Sequence, residues 1–253
     1  MKFGKDSQNK VQRFFIMLSL IIAGEAVFGL PFHITRYFRP TFLEVFNFTG
    51  TQLGFAQGVY GIIAMLTYFP GGVLADRYSA RSLLLISLIS TATGGVYMST
   101  IPGVLGMSLL WGFWGLSSIL FLWAALIRTV REWGGKEEQG AAFGILDFGR
   151  GLSAVLMASI GALVLKMMMP QDPNMIGAKE RLLSLQNIIY MYIFLTLGSA
   201  FLVWLFVPRS DMQKKKSQSQ RDFWLDVSTV LKKPSVWLLS LIIVTAYIGW
   251  KGL

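Results

Sequence analysis

Cysteine is absent from this chain and histidine occurs once, at His33. The first absence excludes a disulfide framework and any thiolate metal site, and it leaves the redox compartment unread. With a single imidazole and no paired His/Cys ligand spacing, neither a metal nor a cofactor is expected. No phosphate-binding loop of the GxxxxGK type and no nucleophile elbow occurs, so the sequence offers no catalytic residues and does not read as an enzyme. Charge is scarce as well, at 14% of residues.

What fills the chain is apolar. Hydrophobic residues make up 54%, 19 of them Phe, and the mean hydropathy is +0.56, well outside soluble usage. Apolar windows of ~20 residues, long enough to cross a ~30 Å hydrocarbon core, fall at 14–34, 53–74, 83–101, 104–127, 141–169 and 187–207. A seventh begins near Val236 and runs to Leu253, with Lys251 close to its end. The first window is too long for a cleaved signal peptide, contains Glu25, and lacks a small-x-small cleavage site before Pro31.

Lysine and arginine resist translocation, so their distribution orients the spans. Sixteen lie before span one, after spans two and four, and between Arg209 and Lys233. The opposite side holds five: Arg36, Arg39, Lys166, Lys179 and Arg181. The amino terminus is therefore expected in the cytoplasm. Read against the spans, the net charge of +10 marks a membrane orientation, and no nucleic-acid partner is expected. The stretch 209–234, with KKKSQSQR at 214–221, reads as a basic cytoplasmic linker, an anchor and hinge. The expected division is a six-helix transmembrane bundle over 1–208, the linker over 209–234, and a partial seventh transmembrane helix over 235–253.

Between spans two and three lies GGVLADRYSAR, residues 71–81. Gly71 and Gly72 allow two helices to approach where the chain turns, while Asp76, Arg77 and Arg81 place opposite charges at the turn. This reads as a conformational latch, the bland alternative being a solvated loop. From Gly72 to Arg81 the block resembles the G-x-L-x-D-R-x-x-x-R signature of major facilitator superfamily transporters. The resemblance implies an all-α integral membrane fold, a six-helix bundle of that superfamily's type followed by the start of a second bundle. In that fold the substrate site lies between two facing bundles near the midplane.

Three stretches resemble the organophosphate/phosphate antiporters within the superfamily: LPFHITRYFRPTFLEVF at 30–46, ADRYSARSLL at 75–84, and REWGGKEEQGAAFGILDFGRG at 131–151. The likeness implies that Arg36 matches a substrate phosphate-binding arginine, and it places Arg150 near the position of a substrate-site histidine. Lys251 falls near a second phosphate-binding arginine, shifted by one residue. These carriers are antiporters of organic anions in the bacterial inner (plasma) membrane.

The residues carry their own chemistry. Arg36 can offer a planar fork to phosphate or carboxylate, or snorkel at the interface beside Tyr37 and Phe38. Asp147 and Arg150, three apart within an apolar helix, share a face. Unpaired charge at that depth costs roughly 2.5 to 3.5 kcal/mol, so they are expected to face the pathway, Asp147 holding Arg150 until an anion competes, or to form a structural salt bridge. Glu25 and His33 stripe one face of span one as candidates for proton coupling; the alternative is that Glu25 caps a polar network with neighbouring helices and His33 is a satisfied interfacial side chain. Glycines 54, 58, 61, 112 and 115 offer close-packing surfaces, and Trp111, Trp114 and Trp123 line a pathway, form an interfacial belt or fill the core.

The expected function is secondary active transport of a small organic anion by alternating access, with a phosphorylated sugar or glycerol phosphate as the implied class. The alternatives are a membrane receptor or sensor for a sugar phosphate, and a nonfunctional truncated carrier. Expected partners are the small anionic substrate, the lipid bilayer and, if the chain is a split subunit rather than a fragment or truncated frame, a second chain supplying the missing helices.

Overall fold

A computed structural model describes residues 10–168, 177–209, 232–238, 241–242 and 245. The described residues are helical throughout their regular structure, and six helices are long and apolar enough to cross a membrane. The first span comprises α1 (Lys10–Phe28), a π-helical turn (Gly29–His33) and α2 (Ile34–Tyr37). After it comes α3 (Arg39–Phe46), then α4 (Gly50–Arg77) and α5 (Ala80–Met98). The fourth span joins α6 (Val104–Leu116), a second π turn (Ser117–Trp123) and α7 (Ala124–Gly134); α8 (Gln139–Met168) and α9 (Ala178–Phe206) complete the six. The chain divides into two units, Met1–Asp211 and Met212–Leu253. In the second, residues 234–238 are helical; the basic run 214–221 and Lys251 lie outside the described residues.

Local chemistry sets the helix ends. Thr49 and Gln52 form a reciprocal capping box that starts α4. Asn47 takes the left-handed conformation at φ 52° that ends α3, a geometry asparagine tolerates. Ser79 caps α5 through the Ser82 amide at 3.2 Å, and Gly135 stops α7 at φ 65°. Two features depart from hydropathy alone. The sixth helix begins at Ala178, nine residues before the apolar window, because its polar first turns are tied down: Arg181 pairs with Glu44 at 2.6 Å and Gln186 donates to the Ser99 carbonyl at 2.9 Å. The aromatic run after span one folds back as the separate helix α3, with Phe42 and Phe46 buried.

Both π turns have identifiable causes. Pro31 has no amide to donate, so the helix loses a bond there and widens; the Pro31 carbonyl instead accepts from Trp111 Nε1 at 2.9 Å. In the fourth span, the Ser118 hydroxyl donates to the Trp114 carbonyl at 2.6 Å and meets the Tyr60 hydroxyl at 2.8 Å, competing with the backbone ladder. Gly71 lets α4 lie against this turn, where a Cβ would stand 3.1 Å from the Ile119 carbonyl oxygen.

The first span is the packing centre: 67% of its apolar window is buried, against 22% for α4 and 11% for α8. It packs on α8 and α9, while α4 packs on the fourth span and α5 on α9. Trp111 and Trp114 are fully buried and fill the core. At the amino-terminal end, Arg13 and Trp133 clasp spans one and four: Arg13 Nη2 donates to the Trp133 carbonyl at 3.1 Å, Trp133 Nε1 to the Arg13 carbonyl at 2.9 Å, and the guanidinium lies 4.7 Å from the indole centroid. Glycines 54, 58 and 61 meet nothing within 4 Å, so their small surface is turned away from the bundle. Gly115, by contrast, would place a Cβ 2.7 Å from the Tyr60 carbonyl oxygen and is a true close-packing position.

Candidate functional site

Glu25, Gly29 and His33 recur every four residues along the first span, so they line one face. Tyr192, fully buried on α9, lies against that face at Gly29, where a Cβ would sit 2.6 Å from its ring. The glycine makes room for the tyrosine ring against the first span. His33 stands edge-on to Tyr192 at 5.8 Å between ring centroids and to Tyr37 at 5.5 Å.

Glu25 is the hub. Its Oε1 lies 3.0 Å from His33 Nε2, and its Oε2 lies 3.2 Å from Arg150 Nε. The same Arg150 N–H also faces the Gly24 carbonyl at 3.2 Å. Arg150 Nη1 lies 3.5 Å from Asp147 Oδ1. Aromatic faces close the guanidinium in: Trp123 at 5.2 Å and Phe28 at 5.8 Å, the residues that end the second π turn and precede the first. Cation–π attraction is worth more where water is excluded, so this wall stabilises the charge as well as positioning it.

The charges differ in their access to solvent or ligand. The Asp147 side chain is 71% exposed and Arg150 19%, whereas Glu25 and His33 are buried. Asp147 and Arg150 therefore stand together at the open surface of α8, and Arg150 reaches from it to the buried carboxylate. A guanidinium bridging two carboxylates is partly neutralised where it stands, yet one of those carboxylates is weakly held and the other is locked. Two buried polar atoms in the cluster, His33 Nδ1 and the Tyr192 hydroxyl, have no hydrogen-bond partner among the described residues.

The other sequence candidates lie apart from this cluster. Arg36 is exposed in the last turn of α2, eleven residues beyond Glu25, with its guanidinium 5.7 Å from the Tyr37 ring centroid. Gly72, Asp76 and Arg77 are exposed at the end of α4, and Asp76 forms no ion pair among the described residues. Arg81 lies over Trp204 at 5.5 Å. What grips the turn is Arg128, which donates to the Ala75 carbonyl and pairs with Glu132 at 2.9 Å. Lys251 lies outside the described residues. Two surface recesses, of about 310 Å³ beside Arg13 and Trp133 and about 510 Å³ beside Glu44 and Arg181, include none of Glu25, His33 and Arg150.

Sequence reasoning missed the bond between Glu25 and Arg150, and it missed Tyr192 and Phe28 altogether. A signal for the first was present: a mid-span carboxylate needs a cation at its own depth, and Arg150 is the one basic residue well inside any of the first six apolar windows.

Known proteins agree with this architecture. The chain matches the family model of the Major Facilitator Superfamily over residues 14–253. It is 26% identical to inner membrane protein YqcE of Escherichia coli (strain K12) over 238 residues, covering 93% of this chain and 53% of that protein. Inner membrane protein YihN of the same strain is 24% identical over 240 residues, 92% of this chain and 54% of its own length. A probable nitrate/nitrite antiporter, NarK1 of Thermus thermophilus, is 28% identical over 211 residues, 80% of this chain and 43% of that protein. The chain thus spans about half the length of the curated relatives it matches. An integral membrane protein by its helices and by these relatives, it belongs to the Major Facilitator Superfamily.

Proposed function

We propose that this chain forms the first bundle of a secondary carrier that moves a small organic anion by alternating access. Arg150 is the anion-binding group at the face that a second bundle covers. The observation that carries this reading is the placement of Arg150. It stands on the span least buried in the bundle, keeps 19% of its side chain exposed, and has a carboxylate on either side that a stronger anionic ligand can replace. An arginine fork so placed matches a phosphate or carboxylate in shape and charge. That one relative is named a probable nitrate/nitrite antiporter supports an anion, and the likeness to organophosphate antiporters at residues 30–46 and 131–151 supports a phosphorylated sugar or glycerol phosphate.

In this reading the amino terminus is cytoplasmic, as the lysine and arginine asymmetry indicates. Residues 209–234 link the bundle to a seventh span over 235–253 with its Lys251, and the remaining helices come from a second half or a second chain. Asp76, Arg77 and Arg81, backed by Arg128, stabilise one orientation of the rocking bundles. Arg36 supplies an outer attraction point on the path to Arg150.

Thermal unfolding of the purified chain in detergent tests this, against phosphorylated sugars, glycerol phosphate, nitrate and small carboxylates. An anion at 100 times its Kd stabilises the chain by about 2.7 kcal/mol. The expected result is a rise in Tm with one class of anion that disappears in Arg150→Ala and is weakened in Arg36→Ala. A shift that survives Arg150→Ala refutes the assignment.

A further inference from the structure

We infer that Glu25 and His33 form a proton-binding pair whose occupancy is set by what holds Arg150, so that an anion taking Arg150 from Glu25 loads one proton onto His33. This rests on the anion reading of Arg150 for its trigger, though not for the pair itself. Three observations carry it. Glu25 divides its two oxygens between a permanent cation, Arg150 at 3.2 Å, and a titratable one, His33 at 3.0 Å. The pair has little solvent access, with Glu25 8% and His33 5% exposed, so a charge imbalance there is poorly screened. His33 Nδ1 is buried and without a hydrogen-bond partner. With Nε2–H donated to Glu25, Nδ1 is the basic atom left for an incoming proton.

The charge balance then dictates the coupling. With Arg150 on Glu25 and a neutral imidazole, the buried pair is balanced. When an anion draws the guanidinium away, Glu25 is left as an uncompensated buried carboxylate, a strongly unfavourable state. A proton from bulk water adding to Nδ1 turns His33 into imidazolium, and its Nε2–H now neutralises Glu25 across the existing contact. When the anion leaves and Arg150 returns, that proton goes back to water. The ionisable groups that reach the pair are Arg150 and, through it, Asp147 from α8, Tyr192 from α9 and Tyr37 from α2. No other ionisable side chain bonds to it among the described residues. A carrier built this way moves its anion together with a proton.

Because His33 is the one histidine in the sequence, the full chain labelled with ¹⁵N-histidine in nanodiscs yields a single imidazole. Its two nitrogen shifts separate the tautomers from imidazolium. The probe is inorganic phosphate, with chloride as control, at constant pH. Arg150→Gln, with no phosphate present, is expected to raise the ratio of imidazolium to neutral His33 by about tenfold or more, the effect of removing a unit charge at this range in a protein interior. Adding Glu25→Gln to that variant is expected to reverse the rise. In the unsubstituted chain, phosphate is expected to produce the same change and to take up about one proton per bound phosphate, read with a pH indicator in weak buffer. If Arg150→Gln does not accumulate as folded protein, Arg150→Lys takes its place: its ammonium lacks the fork that reaches Glu25 and Gly24 together, and a smaller rise is expected. An unchanged His33 in whichever variant folds overturns the inference. Phosphate that raises Tm through Arg150 yet leaves His33 unchanged overturns it while sparing the anion reading. Phosphate without any effect, beside a His33 that protonates in Arg150→Gln, sustains the proton pair and removes phosphate as the anion.

Discussion

The first and fifth spans meet at Arg150 and are built on opposite plans. The first is wrapped by its neighbours, with 67% of its apolar window buried, and it hides a carboxylate and an imidazole at its middle. In the fifth, α8, only 11% of the window is buried, and Phe148, Leu152, Val155 and Leu156 are all exposed. Burial makes polarity in the first span expensive, so each charge there must have a partner built into the fold. Exposure makes polarity in the fifth span negotiable. Asp147 is largely exposed, and Arg150 stands between the buried Glu25 and that open face. In the function proposed above, the contrast places the anion at the one side chain that belongs to both environments.

Substitutions that force the two spans to behave alike sharpen this contrast. The largest effect is expected from Arg150→Met, which leaves the buried Glu25 with only His33 to answer its charge and should lower stability by up to about 3 to 5 kcal/mol. Combining it with Glu25→Gln should recover much of that loss, a strong non-additivity in a double-mutant cycle read by thermal unfolding. Additive losses would mean that the pair does not interact. Next comes Gly29→Leu, which drives a side chain into Tyr192 and should cost about 3 kcal/mol. Gly151→Leu, on the open face of α8 with nothing within 4 Å, should change stability by less than about 0.5 kcal/mol. Equal effects of the two glycine variants would break the comparison. Trp111→Phe removes the donor to the Pro31 carbonyl and should cost about 1 to 3 kcal/mol, with proteolysis of the first span as a second readout. The smallest effect belongs to Asp147→Asn: an exposed partner contributes at most about 1 kcal/mol, so Tm should scarcely move while anion binding tightens modestly.

Much of the fold was legible because apolar length is a direct physical signal. The windows for spans two to five fall within a few residues of the observed helices at one end or both, since hydrocarbon thickness fixes length. The beginning of α9 was not legible, because its first turns owe their order to Glu44 and Ser99, far away in sequence. The π turns were hidden for a similar reason. Pro31 marks a defect in the helix, but that it resolves as a wide turn depends on Trp111 accepting the role of donor. Within the site, the chemistry-bearing residues were readable one by one, from the stripe of Glu25 and His33 and from the spacing of Asp147 and Arg150. Their grouping was not, because pairing a charge with its neighbour on the same helix is the simplest reading of a sequence. Depth would have corrected it. Glu25 lies about four turns into the first span and Arg150 about three into α8. As odd-numbered spans they run the same way through the membrane, so the two charges lie at similar depth.

The most direct test of the central claim, that Glu25 and an external anion compete for Arg150, is the apparent Kd of the best-bound anion of the panel in Glu25→Gln compared with the unsubstituted chain. Loss of the competing charge is predicted to tighten anion binding by about tenfold, with the gain abolished when Arg150→Ala is added. Binding that is unchanged or lost in Glu25→Gln would show that the carboxylate does not hold the site's arginine in reserve, and would contradict the account.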